Sequence, residues 1–504
     1  MLTLLFILSG AAGLFYESVW SRYLGLFVGH SAYAQVIVLV IFLGGMALGA
    51  MLVARFTDRI REPLFGYALV EAAVGLVGLV FHDLYLAVTG WAYASVFPAS
   101  AGSALLVVSK WAIAAMLILP QSVLLGATFP LMSAGVLRRI GRDPGRTLSV
   151  LYFANSFGAA VGVLVAGFYL VNLAGLPGTI LAAAILNFVV AIGAMTAMRF
   201  GPAPAEATPP VSPAPPTASS LPLPALHRLL LWTALGTAVA SFVYEIAWIR
   251  MLSLVLSSAT HSFELMLSAF ILGLALGSFW VRTRADRFAD PLRTLAIVQI
   301  CMGLLALATL PLYVQAFEWM AGFLRTFART ESGYIGFVLA RYGVCLVIML
   351  PATFCAGITL PLITRTLVTG GVGEKSIGEV YGWNTFGSIV GVVLGALVLM
   401  PLVGLKALLA TGALLDMAVG AAILFVARTA RPAALRPFLA AVSLWVVALG
   451  FTALSPAFDR RLLASGVYRM GVLPAPGTRE ILYYKDGRTA TVSAVRVIKT
   501  GEVF

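Results

Sequence analysis

Charge is scarce in this sequence. Only 11% of its 504 residues are charged and 61% are hydrophobic, and apolar runs of membrane-spanning length recur along most of the chain. A soluble protein cannot cover so much apolar surface, which excludes the water-soluble classes and predicts a polytopic membrane protein in contact with the lipid bilayer. The net charge of +13 lies in short basic clusters between the apolar runs. This distribution indicates membrane topology rather than a nucleic-acid partner.

Signals for metal binding and for secretion are also missing. The three cysteines, Cys301, Cys345 and Cys355, lie inside apolar segments without the spacing of metal ligands, and the four histidines are scattered. No metal site is therefore predicted. The N-terminus has neither a basic region nor a small-residue cleavage site, so residues 2–28 are predicted to be a retained first span rather than a signal peptide.

The apolar runs are arranged in two sets. At about 20 residues per span, the sequence predicts two sets of six helices and one further span, about thirteen in all. Residues 201–225 between the sets are dense in proline and small residues, which predicts a linker. The predicted domains are a first six-helix repeat at 1–200, the linker at 201–225, a second six-helix repeat at 226–430, an additional helix at 431–456 and a β-rich tail at 457–504.

The two sets repeat each other. Equivalent positions lie 228 to 231 residues apart in four blocks that keep the same order. Six spans separate equivalent positions, so the halves are predicted to have the same orientation in the membrane. The matched blocks are FYESVWSRYL at 15–24 with VYEIAWIRML at 243–252, IFLGGMALGAMLVARFTDR at 41–59 with AFILGLALGSFWVRTRADR at 269–287, LPQSVLLGATFPL at 119–131 with LPATFCAGITLPL at 350–362, and YFANSFGAAVG at 152–162 with YGWNTFGSIVG at 381–391.

Arginine is distributed asymmetrically between the loops. Basic clusters follow the even-numbered spans, whereas the loops after odd-numbered spans carry few basic residues. The positive-inside rule therefore predicts a cytoplasmic N-terminus and linker, in an inner membrane of the bacterial type. A thirteenth span at 437–454 would carry the tail to the outer side. Three alternatives stay open: that segment does not cross, a span is miscounted, or the tail has no cytosolic chemistry.

A short basic loop recurs between the second and third spans of each half. With its preceding glycine and its Asp-Arg pair, it resembles the signature loop of the major facilitator superfamily, and six plus six parallel spans fit that superfamily too. A local ion pair that anchors the topology is the alternative interpretation. The residues that carry the resemblance are Gly49 with Asp58 and Arg59, and Gly277 with Asp286 and Arg287.

The tail and the repeated Tyr-Glu-x-x-Trp-x-Arg segments resemble the membrane-fused branch of the spermidine synthase family. The tail stretches are FDRRLLASGVYRMG at 458–471 and REILYYKDGRTATVSAVRV at 479–497, and the second predicts a β-hairpin that turns at Asp486-Gly487. The resemblance implies polyamine biosynthesis by aminopropyl transfer from decarboxylated S-adenosylmethionine. No glycine-rich nucleotide loop follows residue 457, so that domain is expected to be incomplete, with no catalytic residue and no cofactor in this chain.

Ionisable side chains inside the first span of each half are the strongest site candidates. A lone charge at that depth is costly, so such residues indicate function by default. An acidic centre rimmed by aromatic rings would bind a polyamine or another small cation through ion pairing and cation–π contact. Pairing of Glu17 with Arg22 or Arg250, with the rings as packing residues, is the alternative. The candidates are Glu17, Tyr16, Trp20 and Arg22, and their equivalents Glu245, Tyr244, Trp248 and Arg250.

Other polar positions also recur across the repeat. Such a seam is consistent either with a transport path or with hydrogen bonds that join helices. Two functions therefore stay open: an integral membrane spermidine synthase-like protein, and a membrane transporter or binding protein for a polyamine or another small cation. The matched polar residues are Asn155 with Asn384, Asp58 with Asp286, Glu71 with Gln299, and Asn187 with Asp416.

Overall fold

A computed structural model describes most of the chain. The described residues are 1–29, 31–100, 102–140, 143–200, 221–257, 260–328, 330–430, 435–487 and 491–504. The predicted linker therefore lies outside the described residues up to residue 220. Sixteen α-helices occur in the described part: α1 Leu2–Val28, α2 Ser31–Phe56, α3 Pro63–Trp91, α4 Phe97–Ser100, α5 Ala104–Ile140, α6 Pro144–Val165, α7 Val171–Phe200, α8 Leu223–Leu256, α9 Thr260–Val281, α10 Pro291–Thr326, α11 Glu331–Leu367, α12 Lys375–Val392, α13 Met400–Ala430, α14 Leu435–Leu454, α15 Arg460–Leu463 and α16 Val467–Met470.

Eleven helical stretches among the described residues are long and apolar enough to cross a membrane. Two of them, Pro144–Phe200 and Lys375–Arg428, have 57 and 54 residues, far more than one crossing needs. Each turns back at a glycine: φ and ψ are 66° and −172° at Gly175, and 76° and 177° at Gly404. Only glycine adopts such a backbone readily. Each stretch therefore crosses twice, and the predicted count of about thirteen is confirmed.

The two six-helix repeats are built by the same helix pairs. The first helix of each half packs on the fifth, as α1 on α6 and α8 on α12, and the second packs on the fourth, as α2 on α5 and α9 on α11. Glycines allow these crossings, because a Cβ at Gly158 would overlap the Ile7 carbonyl oxygen and one at Gly387 would overlap that of Leu235. The small residues in the two matched blocks therefore set the distance between helices.

The halves meet along two helix pairs, α6 with α9 and α2 with α12. The first helices, α1 and α8, are among the most buried of the spans, since 67% of each membrane-length window is buried. Polar side chains on α1 and α8 are therefore held inside the protein rather than in lipid. The predicted class, an all-α membrane protein of two parallel six-helix repeats, is confirmed.

The tail lies on one face of the bundle. We call the face with the arginine-rich loops the basic face and the other, at which α1 and α8 end, the opposite face. Helix α14 runs along the outside of α13, and the residues beyond it contact the opposite face, where Lys406 donates to the backbone oxygens of Thr452 and Pro456 at 3.1 and 3.2 Å. The thirteenth span thus crosses, and the tail does not return to the basic face.

The predicted β-hairpin is confirmed. Strand β1, Arg479–Asp486, pairs antiparallel with strand β2, Thr491–Val497, from Arg479 opposite Val497 to Asp486 opposite Thr491. β-branched and aromatic residues favour extended structure in both strands, and half-buried positions of β1 alternate with exposed ones apart from a bulge between Ile481 and Tyr483. Asp486, the last residue of β1, lies opposite Thr491, the first of β2, so the chain reverses just after Asp486, and residues 488–490 lie outside the described part. The strand ends beside this reversal face the membrane bundle, where Gly487 and Thr491 accept from Arg250 of α8.

Candidate functional site

Glu17 on α1 and Glu245 on α8 are brought together at the centre of the bundle. Their exposed fractions are 7% and 3%, and the two carboxyl groups are close enough to interact electrostatically. Neither has a hydrogen bond or an ion pair to another residue within the described part of the chain. Two acids from equivalent positions of the two halves thus share one buried place without a protein counter-charge.

Open space borders this pair. Gly13 lies one helical turn before Glu17 on the same face of α1, and it is buried. A Cβ built on Gly13 nevertheless meets no atom within 4 Å. Side chains of a helix lean toward its N-terminus, so the Glu17 carboxyl group leans toward this space. The interior beside the acid pair therefore has room for a small group.

The two arginines are not the partners of Glu17. Arg22 forms an ion pair with Glu264 of α9, in the other half of the molecule. Arg250 donates to the Gly487 carbonyl oxygen at 3.4 Å and to Thr491 Oγ1 at 3.5 Å, both in the tail hairpin. Both arginines lie nearer the opposite face than the acids do, and their partners lie there too. The alternative in which Glu17 pairs with Arg22 or Arg250 is not the arrangement of this structure.

The aromatic residues of the first half face inward. Tyr16 and Trp20 are both fully buried, and their rings stack with centroids 5.6 Å apart. The Tyr16 hydroxyl donates to Asn187 Oδ1 at 2.9 Å, and Trp20 packs edge-on against Phe42. These two rings therefore belong to the core of the first half, packed around α1.

The second half repeats this arrangement. The Tyr244 and Trp248 rings lie 5.4 Å apart and are equally buried. The Tyr244 hydroxyl donates to Asp416 Oδ2 at 2.7 Å, and Trp248 Nε1 donates to Thr309 Oγ1 at 3.1 Å. Three of the four polar ring atoms, those of Tyr16, Tyr244 and Trp248, have a hydrogen-bond partner, and each partner lies in the same half as the ring. The two acids, rather than the aromatic rings, therefore interact across the two halves.

A buried acid–amide network lies behind each tyrosine. In the first half Glu71 accepts from Ser9 Oγ and from Asn187 Nδ2, both at 2.6 Å, and Asn187 accepts from Tyr16. Glu71 and Asn187 are both fully buried. Membrane-buried polar groups need such partners, because no water is available to them.

The second half has an acid and an amide at the same two positions, with the types exchanged and without a hydrogen bond between them among the described residues. Gln299 stands where the first half has Glu71, and Asp416 stands where it has Asn187. Gln299 accepts from Thr237 at 3.2 Å, and Asp416 accepts from Tyr244. The sequence contained the signal, since polar residues recur at matched depth, but it did not show which of them are joined by hydrogen bonds.

Asn155 on α6 and Asn384 on α12 are half-buried. The backbone of Asn155 lies against Gly10 of α1, where a Cβ would overlap the Asn155 carbonyl oxygen. Equivalent glycines, Gly158 and Gly387, sit one turn further along at the same crossings. Both asparagines thus belong to the close contact between the first and fifth helices of their half.

The signature loops form one-turn 3₁₀ helices at Thr57–Arg59 and Ala285–Arg287, on the basic face. The side chain of Asp58 lies outside the described part of the structure. Asp286 accepts from the backbone N–H groups of Gly145 and Arg146 at 3.1 and 3.0 Å, and from Arg365 Nε at 3.2 Å. A carboxylate at a helix N-terminus is favoured by the helix dipole. Asp286 therefore ties the second half to the start of α6 in the first.

The comparisons with known proteins concern the fold. No family model matches the chain, and no curated protein matches it. Among solved structures it is similar to one titled "Crystal structure of auto inhibited POT family peptide transporter", with 14% identity, a TM-score of 0.38, and coverage of 91% of this chain and 98% of that one. That likeness assigns no substrate to the chain.

The predicted membrane-fused spermidine synthase is wrong, and so is the predicted role in polyamine biosynthesis. No family model and no curated protein of that kind matches the chain. The described tail forms two four-residue helices and a hairpin, without a strand, glycine-rich loop and helix in succession. The repeated Tyr-Glu segments follow from the duplication, and an Asp-Gly hairpin occurs in many proteins. Neither feature is specific to that family.

Proposed function

We propose that this chain is a major facilitator-like transporter of a small organic cation, bound between Glu17 and Glu245. The observation that carries the proposal is the pair of buried carboxyl groups, one from each half, without a hydrogen bond or ion pair to the rest of the described protein. An uncompensated charge at this depth costs several kcal/mol, so a bound cation would relieve both acids at once. The proposal assigns no cofactor.

The chemistry of the pair favours a diamine over a single ammonium group. Two carboxylates can each accept charge-assisted hydrogen bonds from one end of a short diamine. The open space beside Gly13 leaves room for the connecting methylene groups. Putrescine, the simplest ligand of this class, is the probe of choice.

The parallel repeat supplies a route for the cation. In parallel repeats, one half rocks against the other around a site at their interface, which exposes the site to each side in turn. Glu17 and Glu245 lie on the first helices of the two halves, so that one acid comes from each side of that interface. We place the basic face, and with it the N-terminus, in the cytoplasm of a cell with a bacterial-type inner membrane, by the positive-inside rule.

Binding of putrescine to the purified chain tests the proposal. The variants are Glu17→Gln, Glu245→Gln and the double variant, with Glu318→Gln, an exposed glutamate on α10, as the matched control. Each single change removes a charged hydrogen bond of about 1.5–3 kcal/mol, so the affinity is expected to fall roughly 10- to 100-fold. Calorimetry in lipid nanodiscs measures the affinity, and uptake into proteoliposomes measures transport.

The control variant is expected to bind like the original chain. The proposed ligand role would be wrong if the Glu17→Gln, Glu245→Gln double variant bound and took up putrescine as well as the original chain. Binding that disappears with the acids while folding is intact would support it. Glutamine has nearly the shape of glutamate, so the test changes charge with little change in volume.

A further inference from the structure

The equivalent arginines of the two halves have different partners. Arg22, five residues beyond Glu17, pairs with Glu264 of the other half, whose side chain is only 2% exposed. A Cβ at Gly167 would overlap this carboxylate, so the glycine gives Glu264 its place between the halves. His261 Nδ1 lies 3.1 Å from the same carboxylate. Arg22 and Glu264 thus join the two halves just outside the acid pair, toward the opposite face.

The first half has no acid at the position equivalent to Glu264. At the offset of 228 residues shared by both flanking blocks, the position equivalent to Glu264 is Val36. A valine has no charge to offer to a guanidinium group. The first half therefore lacks the acid that would complete the symmetry of the molecule.

The described residues beside the hairpin turn, Asp486, Gly487 and Thr491, lie at this place, and we call these three residues the hairpin tip. Asp486 is close enough to Arg250 to interact with it electrostatically, and Gly487 and Thr491 accept from the guanidinium group. The Asp486 carboxylate is held in position by the hydroxyl groups of Tyr484 at 2.9 Å and Thr491 at 2.8 Å. The tip thus brings an oriented acid to Arg250.

Further contacts hold the tip on the opposite face. It lies beside the kink of α13, where the Cβ position of Gly404 is 3.8 Å from Asp486 Oδ2. Phe458, at the start of the tail, packs edge-on against Tyr313 of α10 at 5.2 Å. Burial, and after it the neighbouring Asp486 carboxylate, raises the pKa of the Tyr484 phenol. The Tyr484 hydroxyl therefore stays protonated well above neutral pH and donates a hydrogen bond to Asp486 Oδ1.

We propose that the hairpin tip is a latch: Asp486 supplies to Arg250 the acid that Glu264 supplies to Arg22, and the tip closes the opposite face over Glu17 and Glu245. Arg250 follows Glu245 by five residues, or about 7.5 Å along the helix. Release of the tip would free the end of α8 and open the way to the acid pair. The binding of a cation by Glu17 and Glu245 rests on the proposed function, whereas the latch itself does not.

Cysteine accessibility tests the latch without any ligand. Glu17→Cys is made in a chain whose native cysteines, Cys301, Cys345 and Cys355, are replaced by alanine, and a small cationic methanethiosulfonate is added from the opposite face. Asp486→Asn and Arg250→Gln are each added to this reporter, and Glu480→Gln, an exposed hairpin acid paired with Arg496, is the control. Labelling is expected to accelerate about tenfold with either latch variant, the effect of losing one charged hydrogen bond, and not with the control.

Hydrogen exchange of the hairpin amides gives the second measurement. Exchange in 479–487 is expected to rise in Asp486→Asn and to stay unchanged in Glu480→Gln. Unchanged labelling of the reporter in both latch variants would overturn the latch, even where putrescine binds as proposed. Accelerated labelling together with an absence of putrescine binding would leave the latch standing and remove the proposed function. The two proposals therefore fail separately.

Discussion

At the scale of single residues, the duplication explains how this protein buries charge. Each half contains one acid and one amide in its inner network, but Glu71 with Asn187 in the first half has become Gln299 with Asp416 in the second. An amide can donate a hydrogen bond to a neighbouring carboxylate, as Asn187 does to Glu71. Two neighbouring carboxylates would repel each other. Each half thus has one acid and one amide at these two positions, with the two types exchanged between the halves.

This exchange predicts the outcome of a designed swap. Asn187→Asp alone puts a second carboxylate beside Glu71 and removes the donor of a 2.6 Å hydrogen bond, so it is expected to lower the free energy of unfolding by about 1–3 kcal/mol. Adding Glu71→Gln recreates the arrangement of the second half and is expected to restore most of that loss. Thermal unfolding of the three variants in detergent measures the coupling. A double variant that melts below Asn187→Asp would contradict the exchange.

At the scale of helices, glycine decides which elements touch. The first and fifth helices of each half approach so closely that a Cβ at Gly158 would overlap the backbone of Ile7. In lipid, where hydrophobic association of helices is weak, such close packing is a main source of stability. At Gly175 and Gly404 the same residue type has another role, because it reverses the chain between two spans.

Substitution at one of these crossings separates the two uses of glycine. Gly158→Ala must push α1 away from α6, which is expected to cost roughly 1–3 kcal/mol. Gly343→Ala, in α11 where a Cβ meets no atom within 4 Å, is the matched control and is expected to be neutral or stabilising by up to about 1 kcal/mol. The melting temperatures of the two variants measure the difference. Equal melting temperatures would show that the crossing tolerates a methyl group.

At the scale of the whole molecule, ion pairs join the halves on both faces. On the basic face Asp286 holds the start of α6, and Arg138 Nε donates to Glu374 at 2.8 Å. On the opposite face Arg22 pairs with Glu264. The acid pair is therefore enclosed from both sides in this structure. Opening toward either side requires the contacts of that face alone to break.

This arrangement predicts opposite effects of two similar variants. Asp286→Asn removes about 1.5 kcal/mol from the basic face, which is expected to raise its open population about tenfold, and Glu264→Gln is expected to do the same on the opposite face. Spin-label distances measure both: Arg61 with Arg284 reports the basic face, and Leu26 with Thr326 reports the opposite face. A variant that lengthens both distances, or the distance on the wrong face, would contradict independent closure.

The sequence by itself determined the architecture of this protein. Membrane burial demands long apolar helices, so the spans, the duplication and the turn at Asp486-Gly487 could all be read from local patterns. The same patterns singled out Glu17 and Glu245, because charge at that depth is rare. Short local patterns also misled: the Tyr-Glu segments and the hairpin resembled an enzyme family that the comparisons do not support.

Only the tertiary structure decided which polar groups meet. Nothing local to Arg22 and Arg250 shows that one pairs across the halves and the other with the tail, since these partners lie 242 and 237 or more residues away. Likewise, Tyr16 and Tyr244 turn to networks whose members come from three helices. Side-chain pairing depends on how helices are rotated and shifted against each other, and that is set by packing over the entire bundle. The acids were visible in the chain; their lack of partners was visible only in the fold.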